Sequence, residues 1–140
     1  MAKREGKTKS NVIGIAGEYF VAAELSQRGI VATLTLKNTP CIDILATNLE
    51  KGKFANIQVK TMSIHNKAGW HLGPKDENSS NIANHFYVLV DLQGEGKTPE
   101  YIIIPKKELA NFIKKDYACW LSKTKKDGTP RKNTSMRIFD

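Results

Sequence analysis

The stretch 54–63, "FANIQVKTMS", alternates as a strand does, yet it sets a glutamine and a lysine on one face. Successive strand side chains point to opposite sides, so Ala55, Ile57 and Val59 share one face and Asn56, Gln58 and Lys60 the other. The apolar face reads as core. The polar face by itself reads first as a solvated surface, and as part of a site only if residues from elsewhere in the chain converge on it.

Composition bounds what such a site could belong to. A chain of 140 residues with 40 % apolar and 26 % charged residues is expected to form one domain, 1–140, with a core of its own. No apolar run approaches the roughly 20 residues of a membrane span, and Glu18 interrupts the one apolar patch near the N-terminus. No membrane association and a cytoplasmic location are the expectation. Cys41 and Cys119 are too few for a disulfide framework and lack CxxC spacing, so free thiols are expected.

The net charge of +8 is concentrated at the two ends. Lys3, Arg4, Lys7 and Lys9 against Glu5 make residues 1–10 basic, and ten Lys or Arg against four acids make 105–140 more so, while 11–104 is nearly neutral. Basic ends on a neutral body suit a polyanion, because each phosphate neutralised releases condensed counterions. Solubility alone would also account for such ends. The segments 1–10 and 123–140 are expected to be flexible, and Lys123, Lys125, Lys126, Arg131, Lys132 and Arg137 are the candidate nucleic-acid contacts. Lys67 and Lys75, with Trp70 and His71, form a second candidate set in the loop 63–84.

Working outward, "SNVIGIAGEYFVAAELSQRG" (10–29) predicts the first helix, with Ser10 or Asn11 as cap and Gly29 as a left-handed stop. Val12, Ala16, Tyr19, Phe20 and Ala23 recur at helical spacing. Glu18 lies on another face with Gly14, Val21 and Leu25, and two glycines in a helix call for compensation such as close packing on a sheet. Runs 30–36, 41–48 and 53–61 predict strands, the last two joined as a hairpin by "LEKG". Residues 85–92 and 101–105 predict interior strands. "KKELANFIKKDYACWLSK" predicts an amphipathic helix with Leu109, Phe112, Ile113, Tyr117 and Trp120 toward the core. The tail beyond it is turn-rich and is expected to be loosely ordered.

Two tempting motifs fail. "GEGKT" (94–98) has Asp91 where a phosphate-binding loop needs glycine, and Pro99 where it needs a helix start, so it predicts a plain loop. His65, His71 and His85 with the two cysteines have no zinc-site spacing.

What remains is Glu18 on the first helix, Asp43 at the second strand, and Gln58 and Lys60 on the third. The hairpin brings Asp43 near Gln58–Lys60, and a helix packed on that sheet can add Glu18. Two carboxylates and an amide oxygen are hard ligands suited to Mg²⁺, and a lysine can offset charge on a phosphate.

These residues, in this order and on these element types, resemble the PD-(D/E)XK nuclease superfamily: a helix-borne glutamate, "CID" ending in Asp43, and "QVK" from Gln58 to Lys60. The resemblance covers roughly 12–104 and implies an α/β fold with a restriction-endonuclease-like core, an α-β-β-β-α-β mixed sheet flanked by helices. It implies Mg²⁺- or Mn²⁺-dependent hydrolysis of DNA, as in junction resolvases or restriction and repair endonucleases, often by a homodimer. Asp43 would be the central metal ligand, with the Gln58 side chain and the Val59 carbonyl beside it. Lys60 would activate or position water, and Glu18 would hold metal-bound water or a second ion. Ile42 replaces the proline of the motif, which shapes a turn and does no chemistry. Gln58 replaces an acid, keeping an oxygen and losing a charge. A catalytically inactive nucleic-acid-binding domain of the same fold is the alternative.

Overall fold

The computed structural model of the chain describes residues 2–36, 39–78 and 81–140, with side chains from Lys9 onward. In chain order come α1 (Ala2–Gln27), β1 (Val31–Leu34), β2 (Ile44–Asn48), β3 (Lys53–Met62), β4 (Trp70–Leu72), a 3-10 turn (Pro74–Glu77), β5 (His85–Asp91), β6 (Glu100–Pro105), α2 (Lys106–Ser122) and β7 (Arg137–Phe139). Among the described residues no helix is long and apolar enough to cross a membrane.

The β2–β3 hairpin turns over residues 49–52 with Gly52 at φ +61°, and Asn48 pairs with Lys53, as the four-residue connection predicts. Because the register is then set, Ile44 lies opposite Ile57 and Asp43 falls beside Gln58. β1 adds antiparallel to β2, β5 parallel to β3 and β6 antiparallel to β5, giving a mixed five-stranded sheet in the order β1-β2-β3-β5-β6. The protein is thus α/β, with β3 at the centre of the sheet.

A layer packs on each face. Val21 of α1, with Ala22 and Leu25 beside it, covers Ile44, Ala46, Ile57, Val59, Val88 and Val90. On the other face Met62, Tyr87 and Leu89 meet Leu109 and Ile113 of α2 and Trp70 and Leu72 of β4. Each fully buried aliphatic side chain here contributes about 1.5–3 kcal/mol relative to exposure.

α1 starts at Ala2 instead of near Ser10, because Ala, Lys, Arg and Glu in residues 2–9 are good helix formers and no proline breaks the run. It ends as expected, with Gly29 at φ +76° and the Ile30 N–H returning to the Leu25 carbonyl. The apolar stripe does not face the sheet: Val12 is 57 % and Tyr19 60 % exposed. Gly17, Val21 and Leu25 face it, the side that also carries Glu18. A Cβ on Gly17 would overlap Thr61 Oγ1, so this glycine lets the helix backbone press against β3; Gly14 meets nothing and its packing expectation does not hold.

Three further expectations change. β6 is an edge strand with Ile103 69 % exposed, so "YIIIP" is interior in composition alone. Of the five α2 residues expected in the core, Leu109 and Ile113 are buried while Phe112 and Trp120 are exposed. The C-terminal tail is held where it was expected to be loose: β7 pairs with β4 as a second, two-stranded sheet, and Phe139 packs edge-on to Phe112, 5.1 Å between centroids. "GEGKT" is a loop, as expected.

Candidate functional site

Asp43 sits at a bend that its neighbours hold. Cys41 adopts φ +63°, its carbonyl accepts from His85 Nε2 at 3.0 Å, and the Ile42 carbonyl accepts from Thr35 Oγ1 at 2.6 Å. These contacts give the turn a shape without the motif's proline. Asp43 then donates its N–H to the Ile57 carbonyl at 2.8 Å, and its Oδ2 accepts the Val59 N–H at 2.7 Å. The carboxylate is therefore anchored on β3, directly beside the Gln58–Lys60 segment.

Gln58 is 8 % exposed, so the solvated reading of its face does not hold for this residue. Its Oε1 is buried without a hydrogen-bond partner. An unsatisfied buried carbonyl costs about 1–3 kcal/mol, and such atoms in a folded protein call for an explanation. Lys60, half-buried, lies two residues on along the same face.

Glu18 reaches this end of the sheet from α1. Burial raises its carboxyl above the usual range, and the negative charge of Asp43 raises it further. Asp43 also adds to the upward shift of Tyr87, whose hydroxyl is pushed up chiefly by burial and by its bond to Asp76. Its charge is thus felt on both faces of the sheet. Asp43 and the Gln58 Oε1 are hard oxygens of the kind a divalent cation such as Mg²⁺ takes, but Glu18 comes from the α1 face of the sheet while Gln58 lies on the Tyr87 face, and among the described residues no group of three or more His, Cys, Asp or Glu is placed to hold a metal.

Sequence reasoning named these four residues but missed what surrounds them. Asp76 is 1 % exposed and Lys106 5 %. Tyr87 donates its hydroxyl to Asp76 Oδ1, the Gly73 N–H donates to Asp76 Oδ2 at 2.6 Å, and Lys106 Nζ donates to the Asp76 carbonyl at 2.7 Å. This group borders a cavity that Gln58 also lines. The signal in the sequence was faint: an acid in a Gly-Pro turn and a lysine opening a helix.

The basic candidates have different surroundings. Lys125, Lys126, Arg131 and Lys132 border an open cleft beside Trp120, with the Arg131 guanidinium 4.7 Å from the indole centroid. Lys123 is exposed at the end of α2 and Lys75 is exposed at the rim of the Gln58 cavity. Lys67 instead pairs with Asp91 and donates to the Leu92 carbonyl at 2.8 Å. Arg137 is buried, pairs with Glu77 and lies over the Tyr117 ring, because it belongs to β7 and not to a free tail. Trp70 is buried with its Nε1 on the Val90 carbonyl at 3.1 Å, while His71 stays exposed. The side chains of Lys3, Arg4 and Lys7 lie outside the described residues.

Comparison with known proteins finds no matching family model, no matching curated protein and no matching solved structure. Function is therefore argued from the site itself.

Proposed function

We propose that this protein is a Mg²⁺- or Mn²⁺-dependent nuclease that hydrolyses phosphodiester bonds in DNA, on a restriction-endonuclease-like variant of the α/β fold. The observation that carries the reading is the buried, unpartnered Oε1 of Gln58, one residue from the Val59 amide that anchors the Asp43 carboxylate. Supporting it is the raised Glu18 carboxyl, shifted mainly by burial and further by the Asp43 charge, which a nearby cation would offset.

Asp43, the Gln58 side chain and the Val59 carbonyl would hold the ion, and Glu18 would hold metal-bound water or a second ion. Such an ion polarises a phosphoryl oxygen and lowers the pKa of bound water. The protein's own part is positional. The Val59 N–H fixes one Asp43 oxygen and leaves the other for a ligand. Lys60, on the same strand face as Gln58, brings a compact positive charge to the phosphate, where negative charge grows as water attacks. Gln58 supplies an oxygen without a charge, so a binding domain without catalysis is the second reading.

The two readings separate in an assay of purified protein on branched, single-stranded and supercoiled DNA. Cleavage is expected with Mg²⁺ or Mn²⁺, is abolished by EDTA, and falls by about 100-fold or more in Asp43→Ala and Lys60→Ala. Cleavage that survives in both variants places the chemistry elsewhere. Tight binding without cleavage by the native protein selects the non-catalytic domain.

A further inference from the structure

The cavity that Gln58 lines has a volume of about 270 Å³ and lies between β3, the Pro74–Glu77 turn and the start of α2. Its polar wall includes Lys75, Asp76, Asn78, Asn81 and Lys106. Asp76 offers little to a ligand, because one carboxylate oxygen takes the Tyr87 hydroxyl and the other the Gly73 N–H. Lys106 differs. Its ammonium has three donors; one goes to the Asp76 carbonyl at 2.7 Å and a second, longer contact reaches the Tyr87 hydroxyl at 3.4 Å. It stands 4.9 Å from the Tyr87 ring centroid, and among the described residues no carboxylate lies within ion-pairing distance of it.

A buried ammonium held by a carbonyl, a phenol and a ring face is costly to desolvate, and what recovers that cost best is an anion. Burial is the main cause that pulls the Lys106 ammonium below the usual lysine range; the negative charges of Asp76 and Cys41 oppose it, and the like charges of Lys60 and Lys75 add to it by less. Two lysines, Lys75 and Lys106, line one small polar cavity, and Lys75 is not ion-paired among the described residues. The Asn78 and Asn81 side chains line the same wall with groups that both donate and accept.

We infer that this cavity binds a phosphate group, held by Lys106 and Lys75 with Asn78 and Asn81, and that the phosphate belongs to a nucleic-acid strand lying across Asp43 and Gln58. The second half of this inference rests on the nuclease reading; the first does not. The cavity lies on the Gln58 face of the sheet and is bordered by Cys41, two residues before Asp43, so a strand with one phosphate in the cavity would run past Asp43.

The test measures binding in EDTA, where no cleavage occurs. Protein labelled with ¹⁵N is titrated with inorganic phosphate, with a short single-stranded oligonucleotide carrying a 5′-phosphate, and with the same oligonucleotide lacking it. Saturable shifts are expected at the amides of Lys75, Asn78, Asn81 and Lys106 with all three probes. Lys75→Gln, at an exposed position, is expected to weaken each probe by about tenfold, the loss of one charge-assisted hydrogen bond. Lys106→Gln, checked for folding by circular dichroism, is expected to weaken them at least as much. Shifts with inorganic phosphate alone overturn the assignment to a strand and keep the phosphate site. Shifts absent from the cavity with every probe, or confined to the cleft beside Trp120, overturn the proposal. Asp43→Ala serves as the control that keeps the two readings apart: it leaves the cavity shifts with inorganic phosphate in place and removes cleavage. A protein that binds phosphate here and cuts nothing retains this site and loses the nuclease reading, whereas Asp43-dependent cleavage without cavity shifts does the reverse.

Discussion

At Gln58, one atom separates a structural residue from a ligand. Its Oε1 is buried and unpartnered, whereas a structural glutamine in a sheet interior would have its oxygen on a backbone N–H or a hydroxyl. Gln58→Leu removes that oxygen while keeping the side chain's length, so it is expected to raise metal-free stability by roughly 1 kcal/mol and to abolish Mg²⁺ binding. Gln58→Glu places a second carboxylate beside Asp43. Stability is expected to fall in EDTA and to recover with Mg²⁺, by about 2.7 kcal/mol when the ion is at 100 times its Kd. Denaturant unfolding with and without Mg²⁺, alongside calorimetric titration, reads both effects. Three proteins with the same response to the ion would take Gln58 out of the site. The residue's identity was legible in the sequence, but its burial was not, since "IQVK" reads the same on a solvated strand.

Among the elements, α1 shows most clearly how packing overrides pattern. Its more apolar stripe, including Val12 and Tyr19, is exposed, and the side bearing Gly17 and Glu18 faces the sheet. Close approach decides this: with hydrogen in place of a side chain at Gly17, the helix backbone reaches Thr61, and Glu18 is delivered to the end of β3. Gly17→Ala is therefore expected to destabilise the protein by about 1–3 kcal/mol through overpacking. Gly14→Ala, three residues away in open space, is expected to stabilise it by about 0.5–1 kcal/mol through helix propensity alone. Chemical denaturation of the pair measures the contrast, and equal effects of the same sign would contradict the packing assigned to α1. In the Gly17→Ala, Thr61→Ala double variant part of the loss is expected to return, because the overlapping hydroxyl is gone.

For the molecule as a whole, the basic C-terminal segment is part of the fold. Arg137 is buried against Glu77 and Tyr117, and Phe139 covers Trp70 and Phe112, so deleting 123–140 would strip the β4 strand and part of the α2 face. Electrostatic binding is better probed by removing charge at exposed positions. Lys125→Ala, Lys126→Ala and Lys132→Ala together leave β7 in place and clear most of the cleft beside Trp120. On duplex DNA the slope of log K against log salt is expected to become shallower by about 0.9 for each phosphate that the variant no longer neutralises. An unchanged slope would move the phosphate track away from this cleft, toward the cavity bordered by Lys75 and Lys106.

The sequence alone determined the hairpin and what stands beside it. Period-two alternation and a four-residue turn are short-range features, and together they set a register that leaves Asp43 next to Gln58. It also determined where α1 stops, because a left-handed glycine is a local requirement. Only the tertiary structure decided which side of α1 meets the sheet, that Gln58 is buried, that Arg137 is spent inside the molecule, and that Lys106 and Asp76, 30 residues apart, close a polar cavity behind the candidate site. Each of these depends on surfaces brought together from distant parts of the chain, and whether a glutamine, an arginine or a lysine faces water or another side chain is settled only where those surfaces meet.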